Sequence, residues 1–161
     1  MNISPTVAAA RRRLLGHGGL VLFLGGAIGF GFLFFLLGEI KLWPFPGSID
    51  YQLPGSEKAW RMSHLEGIIN GFALWLAAAA LPILKLSDQA VSRIANGLIV
   101  VAWTFVLASL MDAAFPDSRG LYFGGPITNI IAFFGFYVGV LIFMAIAAYV
   151  AWKALRADPK A

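Results

Sequence analysis

The chain has 161 residues, of which 60% are hydrophobic and only 12% charged, with a net charge of +4. An apolar share this far above the ~45–50% of soluble domains, with a mean hydropathy of +0.81, argues for one integral membrane domain over residues 1–161. There is no cysteine, which excludes disulfides, iron–sulfur clusters, thiolate zinc sites and haem attached through a C-x-x-C-H motif. The basic residues lie beside apolar runs and not on a soluble face, which argues against a nucleic-acid partner.

A spanning helix needs about 20 mostly apolar residues. Four stretches supply them, 14–40, 64–84, 94–115 and 127–155. The pattern predicts an all-α, four-transmembrane-helix bundle that oligomerises, with residues 1–10 and 157–161 as loose tails. Arg11, Arg12 and Arg13 and the apolar run after them imitate a signal peptide, but the run is too long and lacks a cleavage site.

The first span opens "GHGGLVLFLGGAIGFG". Gly25 and Gly29 stand in small-xxx-small spacing, which lets a helix approach closely, either within the chain or from another copy. His17 sits at the start of this span and reads as a cap or an interfacial contact. The next segment, "KLWPFPGSIDYQLPGSEKAWRM", carries three prolines and two Pro-Gly pairs. It predicts an ordered, hairpin-like loop with short extended pieces.

The second span begins within "WRMSHLEGIINGFALW". His64, Glu66 and Asn70 are costly in a bilayer without a partner or a task. Gly67 and Gly71 follow His64 by three and seven residues, so they share its face. Arg61 lies one turn earlier, on roughly the same side. Glu66 and Asn70, four apart, form a second face. The His64 face is open to two readings. An interfacial histidine above glycines that admit a neighbouring helix is one. The other is a planar cofactor, with His64 as ligand to iron, Gly67 and Gly71 admitting the ring and Arg61 meeting a propionate.

"KLSDQAVSR" is a short link to the third span, which ends with Asp112. The turn "PDSRGLYFGGP" follows, then Asn129 opens the fourth span. Asp112 and Asn129 fall at the same membrane depth as His64, Glu66 and Asn70, a convergence that marks a site. Asp112 has a second reading, as a clasp to Arg119. His17 and His64 are separated by about a full span, ~30 Å, so they do not ligate one haem within a protomer. "FGFLFF" and "IIAFFGFYVGV" offer either packing or an aromatic lining.

Charge sets the orientation. Arg11, Arg12, Arg13, Lys85, Arg93, Lys153, Arg156 and Lys160 fall on one side, and Lys41, Lys58, Arg61 and Arg119 on the other. The bias predicts both termini in the cytoplasm, with Trp43, Trp60, Tyr122, Tyr149 and Trp152 in the aromatic belts.

The ordered set "GHGGLVLFLGGAIGFG", "LPGSEKAWRMSHLEGIINGF" and "DSRGLYFGG", from about Arg13 to Ala154, resembles the styrene oxide isomerases, small four-helix proteins of the bacterial inner membrane. The resemblance implies a homotrimer embedded in lipid, with haem b near the subunit interfaces and one histidine on the iron, at the position of His64. It implies that ferric iron acts as a Lewis acid on a small aromatic epoxide, which rearranges to an aryl acetaldehyde without electrons or cosubstrate. Asn70 falls at the position of an active-site asparagine that helps hold the epoxide. Arg119, in the last motif, joins Arg61 as a candidate cofactor-binding cation. The third span departs from the family. There an aspartate and, two turns later, a tyrosine serve the site, whereas here those positions fall near Val101–Ala102 and Ser109–Leu110. Asp112, as a catalytic candidate, and Tyr122 are the residues that stand closest to replacing them. Two other functions compete: a haem-binding membrane protein with a redox or sensing role, and a structural bundle with no cofactor.

Overall fold

The computed structural model describes residues 3–156. Four helices carry it: α1 (Pro5–Leu37), α2 (Glu57–Ala80), α3 (Asp88–Ala114) and α4 (Ile127–Arg156). The long loop between α1 and α2 contains the predicted extended pieces as an antiparallel ribbon, β1 (Ile40–Lys41) and β2 (Ser48–Ile49), with Ile40 opposite Ile49.

Local signals explain the helix ends, and α1, α2 and α3 all start ahead of the expected spans, α3 at Asp88 instead of residue 94. Ser4, Ser56 and Ser87 cap α1, α2 and α3, each accepting a backbone N–H from three residues on. The Ser4 cap starts α1 at Pro5, so residues 5–10 are helical where a loose tail was expected. Ser4 and Thr6 also donate to the Asp88 carboxylate at 2.9 and 3.0 Å, fastening the start of α1 to the start of α3. The Ser56 cap starts α2 at Glu57, and the helix stops at Ala80 before Pro82, so the predicted 64–84 span is displaced toward the N-terminus. Gly38, at φ 72°, ends α1 in the left-handed conformation that suits glycine. The expected tail at 157–161 lies outside the described residues.

Three helices, α1, α3 and α4, are long and apolar enough to cross a membrane. The sequence reading counts four, but α2 carries Glu57, Lys58, Arg61 and Glu66 in its first turns. It packs against α1 and α3 on one face and leaves Ile69, Phe72 and Leu76 exposed on another. α1 buries Ala10, Leu14, Gly18, Val21, Gly25 and Ile28, a stripe at three- and four-residue spacing that lies along α2. α4 packs on α3 alone among the helices and buries only Asn129, Ala132 and Gly139. The array is therefore open along α4 and not a closed ring of four.

The core falls into two parts. Toward the end that carries the chain termini, Leu14, Val21, Leu74, Ala78, Val91, Ile94 and Ala95 form an aliphatic cluster. Toward the opposite end, the buried cluster is smaller, with Ile28, Trp60, Val106 and Ala113. The polar residues that the sequence singles out gather around this smaller cluster.

Candidate functional site

The seam between α1 and α2 fixes His64. Gly25 and Gly67 meet backbone to backbone, so that a Cβ on Gly25 would come within 2.9 Å of the Gly67 carbonyl carbon. Gly71 faces Leu22 and the Gly18 carbonyl. The cleared face below His64 is thus filled by α1, and Gly67 and Gly71 leave no opening for a planar ring inside the protomer. This corrects their reading as cofactor-admitting positions. It also assigns the Gly25–Gly29 spacing to packing within the chain. Gly29 lies under the imidazole, where a Cβ would stand 2.9 Å from Nδ1 and Cε1.

The half-buried His64 ring places Nδ1 2.9 Å from the Gly25 carbonyl oxygen. A carbonyl only accepts, so Nδ1 carries a proton, and in the neutral ring the lone pair is the one on Nε2. A metal-ligating histidine has the same arrangement, its far nitrogen steered by a backbone carbonyl. His17 is set the other way, and it stands only eight residues, about 12 Å, along α1 from the Gly25 carbonyl that holds His64, which corrects the expected ~30 Å separation. The Trp103 indole N–H donates to its Nδ1 at 3.1 Å, so that lone pair is already used. Arg61 is exposed one turn before His64.

On the other side of α2, a cavity of about 360 Å³ opens between α2, α3, α4 and the turn after α3. Met62, Ala59, Leu121 and Phe136 provide apolar wall, and Glu66, Ser109, Asp112, Ser118 and Arg119 bring polar groups to it. Pockets for small ligands combine these two features in this way. His64 does not line it. Two residues along a helix turn the direction by about 200°, so His64 looks to α1 while Glu66 looks to the cavity.

Asn70 is buried and its amide nitrogen donates twice to Glu66, at 2.9 Å to the backbone carbonyl and 2.7 Å to the side-chain Oε2. The i, i+4 spacing makes this contact possible. Both amide hydrogens are engaged, so Asn70 does not stand ready to donate to a bound oxygen. Asp112 accepts the Ser118 hydroxyl at 2.9 Å. The expected clasp from Asp112 is therefore made to Ser118, while the exposed Arg119 lines the cavity without an ion pair among the described residues. Ser109 also lines the cavity. Tyr122 does not.

The turn itself is organised by Asn129, fully buried at the start of α4. Its Oδ1 accepts the backbone N–H groups of Arg119 and Gly120 at 2.8 and 2.9 Å. Its Nδ2 donates to the carbonyls of Tyr122 and Gly124 at 3.0 and 2.7 Å. Gly120, at φ 59°, lies against Phe136, where a Cβ would meet the ring at 2.7 Å. The sequence reading placed Asn129 at the right end of the array but not in this role. Nothing in its spacing reveals four partners in a turn whose path it sets itself.

Comparison with known proteins adds two findings. The family model described as "Styrene oxide isomerase" matches residues 10–155. A styrene-oxide isomerase of Pseudomonas fluorescens is 28% identical over 155 residues, covering 92% of this chain and 90% of that protein.

Proposed function

Because the chain belongs to the styrene oxide isomerase family, we propose that it isomerises a small aryl epoxide to the aryl acetaldehyde, with haem b held by His64. The observation that supports this reading is the His64 imidazole, whose Nδ1 is held by the Gly25 carbonyl. The cavity between α2, α3 and α4 lies on the other face of α2, so a substrate seated there would meet iron only where the haem of a neighbouring protomer stands at its mouth.

The chain's donors fit an imidazole ligand to iron. His64 has Nδ1 fixed as a donor to the Gly25 carbonyl, and in the neutral ring Nε2 would be the atom to hold iron. The cofactor's seat is not inside the protomer, since α1 fills the face below His64. A homotrimer with haem near the subunit interfaces accounts for this, and the exposed face of α4 leaves ample surface for neighbours or lipid. Arg61 and Arg119, both exposed cations at this end of the array, are the candidates to meet haem carboxylates. When bound, ferric haem supplies a Lewis acid that draws electron density from the epoxide oxygen.

The remaining work falls to the chain. The C–O bond at the benzylic carbon opens with its electron pair kept on oxygen. A hydride then moves from the neighbouring carbon to the benzylic carbon, and the oxygen pair closes the carbonyl. No electron or cosubstrate enters. Met62, Leu121 and Phe136 exclude water, which would capture the cation as a diol. Asp112 and Ser118 hold the rim of the cavity together. The positive bias of the terminal end supports its lying on the cytoplasmic side of a bacterial inner membrane.

A haem protein with a redox or sensing role is the competing reading, and it calls for a second axial ligand. His17 stands about 12 Å along α1 from the Gly25 carbonyl that holds His64, too far to share one iron, and its Nδ1 is already bonded to Trp103. The test is direct. Detergent-purified protein should have a Soret band and, in the ferric state without reductant, convert styrene oxide to the aldehyde, followed by gas chromatography. A haem-replete protein that leaves styrene oxide and its ring-substituted analogues unchanged sinks the isomerase reading.

A further inference from the structure

We infer that the groove between α3 and the half of α4 nearest the chain termini seats an anionic phospholipid, its phosphate on Arg93 and Lys153 and an acyl chain along Ile94, Ala145 and Ile146. The inference does not depend on the isomerase reading. α4 buries Asn129, Ala132 and Gly139, all in its first half, and no residue beyond them. The last glycine at which the two helices meet is Gly97, where a Cβ would stand 2.7 Å from Ile146 and 3.2 Å from Ile142. Nearer the chain termini a cavity of about 330 Å³ opens between them, walled by Ala90, Arg93 and Ile94 on α3 and by Ala145, Ile146 and Tyr149 on α4.

The groove is sorted from end to end as a lipid is. Chain order puts Ser87 and Gln89 at its terminal rim, with Arg93 long enough to reach the same level, and sets Ala145 and Ile146 deepest. Tyr149 and Trp152 stand at the depth where interfacial aromatic residues collect. Lys153 joins them, its Nζ 6.0 Å from the Tyr149 ring centre and 4.9 Å from that of Trp152. Arg93 is exposed and makes no ion pair among the described residues. Asp88, the acid nearest to it in sequence, already accepts from Ser4 and Thr6, one on each oxygen. Two cations are thus left for a phosphate, and basic pockets between membrane helices hold anionic headgroups in this way. A soluble anion would use the cations and leave the apolar floor bare. A zwitterionic lipid would bring its own ammonium beside Arg93.

Native mass spectrometry of the full-length protein in detergent tests this, with phosphatidylglycerol, phosphatidylcholine or inorganic phosphate added in turn. Phosphatidylglycerol should stay bound at concentrations where phosphatidylcholine and phosphate do not. Arg93→Gln and Lys153→Gln should each weaken its binding about fivefold. Arg12→Gln removes the same charge from α1, which lies away from α4, and should leave binding unchanged. Ala145→Phe keeps every charge but fills the groove, and should abolish retention; Ala145 is exposed, so the fold tolerates the change. Equal binding of phosphatidylcholine, equal losses in Arg12→Gln and Arg93→Gln, or phosphatidylglycerol retained by Ala145→Phe overturns the inference. So does phosphate that displaces the lipid at equal concentration, since the groove would then be a plain anion site.

Discussion

On α1, His17 receives a hydrogen bond from the Trp103 indole at 3.1 Å; eight residues further along, the Gly25 carbonyl accepts one from His64 at 2.9 Å. The two imidazoles are therefore held in opposite tautomers by their nearest neighbours. His17 sits beside the larger aliphatic cluster, where Leu14, Val21 and Val91 are fully buried. His64 sits beside the end that holds the cavity, the acidic side chains and the turn. The same residue type is spent on packing in one place and left with a lone pair to offer in the other. What distinguishes them is a partner 39 residues away for His64 and 86 residues away for His17, which no local pattern announces.

Breaking the comparison at its strongest point means removing each histidine in turn. His64→Ala should lose most of the haem, read as Soret absorbance per protomer, while His17→Ala should retain it. Equal retention by the two variants would show that the difference in tautomer carries no difference in role.

The second contrast lies along the seam that fixes His64. Gly25 meets the backbone of Gly67, whereas a Cβ on the adjacent Gly26 would meet nothing within 4 Å. Backbone cannot step aside as a flexible side chain can. Gly25→Leu should therefore cost about 3 kcal/mol, the upper part of the usual range for overpacking. Gly26→Leu should change stability by less than ~0.5 kcal/mol. Thermal unfolding in one detergent would measure both. Equal melting temperatures would remove the seam from the account of how His64 is held.

Much of the fold was legible because it depends on composition over long windows. Apolar runs announced four helices, and Pro-Gly pairs announced the ribbon. The start of α2 was misplaced because Glu57, Lys58 and Arg61 look too polar for a span, and the Ser56 cap outweighs that impression locally. The candidate site was legible only in depth. Asp112, Arg119, Glu66 and Asn70 fall at one end by residue counting, and Glu66 pairs with Asn70 at a helical spacing of four. The face that Gly67 and Gly71 clear was legible too, but not what fills it. Spacing on one helix says which residues share a face, while the identity of the neighbour depends on the register of α1.

The cavity offers a third contrast, between a residue that touches its contents and one that shapes its rim. Asn129 holds four backbone groups of the turn that carries Arg119 and Leu121. Asn129→Ala leaves those groups without their partner at a buried position and should destabilise by about 2 kcal/mol. It should raise KM for an aryl epoxide more than it lowers turnover, since the rim loosens while the inner groups remain. Steady-state kinetics beside a melting curve would check this, and an unchanged KM would count against the turn as part of the substrate's seat.

The smallest effect belongs to the other histidine's partner. Trp103→Phe keeps an aromatic ring against His17 and removes the single indole N–H that fixes its tautomer. His17 is half-buried, so water can replace part of what is lost, and one neutral hydrogen bond contributes only about 1 kcal/mol net. The melting temperature should fall slightly, with haem content and epoxide turnover unchanged. The unchanged activity is the informative half. If Trp103→Phe altered the Soret spectrum, the state of His17 would be felt along the eight residues of α1, about 12 Å, that separate it from Gly25 and its hold on His64, and the two histidines could no longer be treated as independent.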